Sequence, residues 1–250
     1  MGNLWKIYEH WNFFGKRLYS HHIGYKPCQA FQQILMKQSD ISVFLTPVIK
    51  SLLRLHTLLG KIIDVLAIKA NGGLHPKHHL MRYYEFFLEN IHSGDTVLDI
   101  GCGNGFVATQ IARKAKLVTG IDTDRRNIIL ARKRSTANTE FFLGDATTYR
   151  FRQHYDVIVL SNVLEHIQNR LSFLQKIQPL AKTLLIRVPM VDRDWLPLYR
   201  KALGMFYFCD STHFTEYTFE SFRHEMAEAK LTITSHTIRF GEIWAVVKKI

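Results

Sequence analysis

Thr96-Val97-Leu98-Asp99-Ile100 runs without a break into Gly101-Cys102-Gly103-Asn104-Gly105, and this junction constrains the fold more than any other stretch of the chain. A short apolar run with β-branched members reads as a buried strand. Three alternate glycines read as a turn too tight for ordinary side chains. A helix is expected from there to about Lys114, with Val107, Ile111 and Ala115 on one face. Such a strand–turn–helix unit brings backbone N–H groups and a helix N-terminus close to a ligand.

The same rhythm continues. A second strand covers Leu117 to Ile121 and ends in Asp122, and a third covers Glu140 to Leu143 before Gly144-Asp145-Ala146. A fourth runs from Asp156 to Leu160, and the helix expected after it carries Leu164, Ile167, Leu171, Leu174 and Ile177. Strands alternating with helices predict a parallel sheet. An acid at the end of the second strand can accept both hydroxyls of a ribose, so a nucleoside-containing cofactor is expected at the carboxyl ends of the strands. The dinucleotide fingerprint GxGxxG would need glycine where Phe106 stands. Asp99, two residues before the first glycine, would repel a pyrophosphate and suits a cationic ammonium group. That choice favours S-adenosylmethionine over NAD.

The segment Val97 to Gly105 resembles the first motif of class I S-adenosylmethionine-dependent methyltransferases. Further matches are Gly120-Ile121-Asp122, Gly144-Asp145-Ala146, and Tyr155-Asp156-Val157-Ile158 leading to Val163-Leu164-Glu165-His166-Ile167. The resemblance covers about residues 75–250. It implies an α/β fold: a Rossmann-like seven-stranded sheet with the last strand antiparallel and helices on both faces. Strands five to seven fall at Thr183–Val188, Leu231–His236 and Ile243–Lys248. It also implies S-adenosyl-L-methionine as cofactor. Gly101, Cys102 and Gly103 would pass close to its methionine part, and Asp99 would orient its amino group. Asp122 would hold the ribose, Asp145 with Ala146 would face the adenine, and Asn162 would stand beside the cofactor.

In-line methyl transfer needs alignment and, for some acceptors, a base. His166, one turn beyond the fourth strand, is one candidate. His213 is the leading one, because it lies in the connection expected to cover the acceptor, with Asp210 and Tyr217 beside it. That connection, residues 189–217, interleaves Trp195, Tyr199, Phe206, Tyr207 and Phe208 with Arg193, Arg200 and Lys201, and Arg187 stands just before it. Such a set can grip a sugar, a nucleotide or a lipid phosphate, or only pack over the sheet edge. His75 to His79 opens a helix through Tyr83, Tyr84 and Phe87 that is expected to cover the cofactor. Glu165 matches a metal ligand of some quinone methyltransferases, but the accompanying acids are missing, so no metal is expected. Cys102 and Cys209 read as packing residues.

The 250-residue chain carries a net charge of +12, with nine Lys/Arg against three acids in residues 1–70. That extension also holds Trp5, Tyr8, Trp11, Phe13, Phe14, Tyr19 and Tyr25. It reads as a helical cap or a membrane-surface contact, divided from a catalytic domain at 71–250 by Asn71-Gly72-Gly73. A helix is expected from near Pro47, with Lys50, Arg54, Lys61 and Asp64 interrupting its apolar run too often for a bilayer span. No secretory signal is visible, and three cysteines without a CxxC pair suit a reducing, cytoplasmic compartment.

The reading is methyl transfer to an O or N atom of a small, lipid-linked or glycan-linked acceptor. One alternative is an RNA or nucleotide methyltransferase, suggested by the basic extension. Against it, Ser161-Asn162-Val163-Leu164 stands where amino-methylating nucleic-acid enzymes carry Asn/Asp-Pro-Pro-Tyr/Phe. Another is a non-catalytic membrane-associated scaffold on the same fold.

Overall fold

A computed structural model of the chain describes the backbone of residues 29–249, with side chains from Val43 onward. The aromatic cluster from Trp5 to Tyr25 lies outside the described residues. The chain divides into two compact units, one ending at Leu52 and one beginning at Leu53. Helix α1 covers Gln29–Ala70 and contains Pro47, so it starts earlier than Pro47. An interior proline removes one backbone donor, here the partner of the Val43 carbonyl. Val43 is 68% exposed, so water can serve that carbonyl instead.

The second unit is built on seven strands: β1 Thr96–Ile100, β2 Leu117–Asp122, β3 Thr139–Leu143, β4 Tyr155–Ser161, β5 Ala181–Pro189, β6 Leu231–Arg239 and β7 Glu242–Lys249. Their order is β3-β2-β1-β4-β5-β7-β6. The first five are mutually parallel, and β7 runs antiparallel between β5 and β6. The expected sheet is therefore present.

Alternation along each strand feeds two cores, one on each face. Leu98, Ile100, Ile158 and Leu160 join one core with Phe173, Leu174, Phe222 and Met226. Those last four come from helices α6 (Arg170–Ile177) and α8 (Phe219–Glu228). Val97, Val157 and Val159 join the other, with Phe87, Ile111 and Ile128. These are supplied by α3 (Tyr84–Glu89), α4 (Phe106–Ile111) and α5 (Arg125–Lys133). Helix α7 (Trp195–Ala202) lies in the long connection after β5.

Two helices expected as continuous are broken. After β4 a single 3-10 turn, Leu164–His166, precedes extended Ile167, and α6 begins only at Arg170. The break is stabilised by Arg170, whose Nη1 donates to the freed Ile167 carbonyl at 3.2 Å. Ahead of β1, α2 (Lys77–Leu80) and α3 are separated by Arg82 in the left-handed region at φ +46°. This turn buries Tyr83 under the guanidinium of Arg187, 3.8 Å from its ring centre.

Candidate active site

The glycine loop is fixed from both sides. Ile121 O at the end of β2 accepts N–H bonds from Gly101 and Cys102 at 2.8 and 3.1 Å. Gly105 has φ +78°, and a Cβ there would lie 2.9 Å from Ala131 Cβ and 3.1 Å from Phe141. Gly103, at φ +53°, has nothing within 4 Å of the same position. Gly105 is thus required by packing, whereas Gly103 leaves room for a ligand against bare backbone.

Asp122 accepts from Gly103 N and from Asp124 N, both at 2.8 Å, and from Asn127 Nδ2 at 3.4 Å. It lines a cavity of about 860 Å³ together with Gly101, Gly103, Asp145, Ala146 and Asn162. Asp145 closes a local turn by accepting from Thr147 N and Oγ1 at 2.8 and 2.7 Å. Asn162, at φ +56°, has a buried side-chain oxygen with no partner. Cys102 is buried away from this cavity, and burial pushes its thiol well above the usual range. Only its backbone belongs to the loop.

A smaller cavity of about 190 Å³ meets the loop from the other face of the sheet and is lined by Asp99, His78, Tyr83 and Arg187. Asp99 is 1% exposed and its Oδ2 has no hydrogen-bond partner. Burial, then the nearby Asp122, pushes its carboxyl up to about 8. A buried acid with an unanswered oxygen fits a cation. Arg187, counted among the gripping arginines, lies in β5 as the expected strand bounds imply, and it is buried there. Its guanidinium pairs with Glu242 at 2.5 and 2.9 Å and donates to Ser161 Oγ at 3.0 Å.

The two candidate histidines stand at different places relative to the large cavity. His166 lines the large cavity. His213 has a side chain only 5% exposed and stands behind it, the two rings edge to face at 4.6 Å. Thr212 Oγ1 lies 2.7 Å from Asp210 Oδ1 and 2.9 Å from His166 Nδ1. Bonding from Thr212 N–H holds the Asp210 carboxyl below its ordinary range, so Asp210 accepts and the Thr212 hydroxyl donates to it. That hydroxyl then accepts from Nδ1–H of His166, leaving Nε2 as the ring's free base. Burial, followed by the neighbouring His213, lowers the pKa of His166 below its ordinary value.

Glu216 is the residue that sequence reasoning missed. It is buried, pairs with Arg193, accepts from Cys209 N, and lies 3.0 Å from His213 Nδ1. Burial opposes its ionisation, but the His213, Cys209 and Arg193 donors hold its pKa below the ordinary value. Arg193 and Arg200 are therefore engaged within the fold, the latter on α1. Tyr217 is core, with its hydroxyl donating to Glu225 at 3.1 Å. His213 lies only three residues from Glu216, but Cys209 and Arg193 reach it from 7 and 23 residues away, so residue spacing alone does not mark Glu216.

Two histidines, and no second acid, stand at ligand distance from Glu165 among the described residues. Ligand-type atoms of Glu165, His166 and His213 lie within 4.8 Å of one another, as do those of Cys209, His213 and Glu216. Both Glu165 oxygens are buried without partners, and burial raises its carboxyl to about 8.

The methyltransferase-domain family model matches residues 74–236. The chain belongs to that family. This methyltransferase domain is 37% identical over 102 residues to the probable (S)-tetrahydroprotoberberine N-methyltransferase 2 of Papaver bracteatum, covering 38% of this chain and 28% of that protein. It is 31% identical over 125 residues to the ubiquinone biosynthesis O-methyltransferase of Actinobacillus pleuropneumoniae, covering 45% of this chain and 53% of that one. The domain thus matches about a quarter to a half of the length of these relatives. Among solved structures, it resembles the N-methyltransferase NodS of Bradyrhizobium japonicum in complex with S-adenosylhomocysteine. The TM-score is 0.53 at 16% identity, over 68% of this chain and 86% of that one.

Proposed function

We propose that the chain transfers the methyl group of S-adenosyl-L-methionine to an oxygen or nitrogen atom of a small or lipid- or glycan-linked acceptor. The observation that carries this reading is Asp99, a buried carboxyl with an unanswered oxygen beside a glycine loop that is open at Gly103. The bound cofactor supplies an electrophilic methyl group on a sulfonium. In this reading Asp99 holds the ammonium group, and the Gly101, Cys102 and Gly103 backbone lies along the methionine part. Asp122 takes the ribose hydroxyls, Asp145 and Ala146 border the adenine, and the free oxygen of Asn162 orients a polar group of the ligand.

His166 accepts the acceptor's proton at Nε2. His213, held by Glu216, packs against the His166 ring and fixes its angle. The insert at 189–217 covers the acceptor. The cytoplasm is the compartment this reading favours, supported by Cys102 and Cys209 standing as unpaired thiols.

Calorimetric titration with S-adenosylhomocysteine tests the cofactor half. Saturable binding by the wild type, weakened in Asp99→Asn, is the expected result. A folded wild type that takes up no ligand overturns it. Transfer of a tritiated methyl group to cell extract then identifies the acceptor.

A further inference from the structure

We infer that the α1 segment from Leu53 to Lys69 lies on an anionic membrane surface, a role that stands whether or not the chain transfers methyl groups. The segment spans about 25 Å at 1.5 Å per residue. One side of it is docked: Arg200 of α7 donates to Leu53 O at 3.0 Å and to Thr57 Oγ1 at 2.7 Å, and lies 3.4 Å from His56 Nδ1. Leu53 is correspondingly buried.

Among the described residues, nothing covers the opposite side. At about 100° per residue, Leu55, Leu58, Leu59, Ile62, Ile63 and Leu66 share an arc of roughly 140° facing away from the Arg200 contact. Each of the six is between 46% and 63% exposed. Scattered exposed leucines are ordinary, but six on one helical stripe form a contiguous apolar patch of the kind that marks an interaction surface.

Charge decides the occupant. Arg54 and Lys61 fall along one edge of the arc, where their stems can lie on the apolar surface while the cationic ends reach outward. The segment's one acid, Asp64, falls on the docked side and lies 3.3 Å from His75 Nε2. A second copy of this face therefore offers Arg54 and Lys61 no carboxylate. Anionic headgroups answer both cations, and acyl chains answer the leucines, which is the pattern of a helix lying in a membrane interface. None of the helices in the described residues is long and apolar enough to cross a membrane.

The test is co-sedimentation of the full chain with vesicles of phosphatidylglycerol and phosphatidylcholine, and with phosphatidylcholine alone. The variants are Leu59→Glu/Ile62→Glu and Arg54→Glu/Lys61→Glu, with their fold checked by thermal melting. The wild type is expected to sediment with the anionic vesicles. At least about a tenfold loss of affinity is expected in either variant, and similarly for the wild type on neutral vesicles. A wild type left in the supernatant overturns the inference, as does an apolar-face variant that binds undiminished. Equal wild-type binding to both vesicle types overturns the anionic preference. Sedimentation equilibrium showing a wild-type dimer that the Leu59→Glu/Ile62→Glu change dissociates, with no vesicle binding, assigns the face to a second copy instead.

Discussion

Asp122 Oδ2 accepts the backbone N–H of Gly103 at 2.8 Å, so the acid that closes β2 also holds the loop that closes β1. One carboxylate thereby serves the loop's shape and borders the space in which a ribose would lie. Asp122→Ala is expected to weaken S-adenosylhomocysteine binding by about 10- to 100-fold, the scale of one or two charge-assisted hydrogen bonds. Calorimetry checks this, and unchanged affinity would separate the acid from the ligand.

Asp99 predicts a pH dependence. Its carboxyl titrates near 8 in the unliganded fold, and pairing with an ammonium group needs the ionised form. Affinity for S-adenosylhomocysteine should therefore rise from pH 6 to about pH 8 and then level off. In Asp99→Asn the profile should be flat across that window and the affinity lower throughout. Titrations at pH 6, 7 and 8 read both effects.

Glu165 predicts the opposite sign for stability. Its pKa in the folded chain is raised to about 8 from 4.5, so the native state binds a proton the unfolded chain releases. The stabilisation is complete below the unfolded value and is lost as pH rises through the folded one. Glu165→Gln should melt close to wild type at pH 4 and above it at pH 9. Equal melting temperatures at pH 9 would show the carboxylate to be accommodated by the fold.

The two glycines of the loop should respond differently to the same change. Gly105→Ala meets Ala131 and Phe141 and is expected to cost about 2–4 kcal/mol in urea unfolding, combining left-handed strain with overpacking. Gly103→Ala meets nothing and should cost about 1–2 kcal/mol. Its larger effect should appear in ligand affinity, since the new methyl group occupies the side left open.

The Asp210–Thr212–His166 chain fixes a tautomer. Thr212→Val should leave S-adenosylhomocysteine affinity unchanged while lowering the methylation rate by about tenfold, with the acid limb of its pH profile displaced. His166→Gln should lower the rate by about 10²-fold or more. An unaltered rate in both would remove the histidine from the chemistry.

Much of this molecule was legible in one dimension. Apolar strands, their glycine turn and the acids at strand ends are local signals, because period and turn chemistry act between neighbours in sequence. Asp99, Asp122, Asp145 and Asn162 accordingly stand around the expected loop and its cavities. The broken helix after β4 was not legible, since apolar spacing alone continues across Ile167, while the carbonyls freed at the break are met by Arg170 and by the distant Phe214 N–H. Nor was the partition between His166 at the cavity and His213 behind it. That depends on Glu216, Arg193 and Cys209 meeting in the connection's fold, where burial makes an unpaired carboxylate costly and so selects the arrangement that satisfies it. The apolar content of α1 could be read from the sequence, whereas the side of the helix that the described residues leave uncovered was decided by where Arg200 docks.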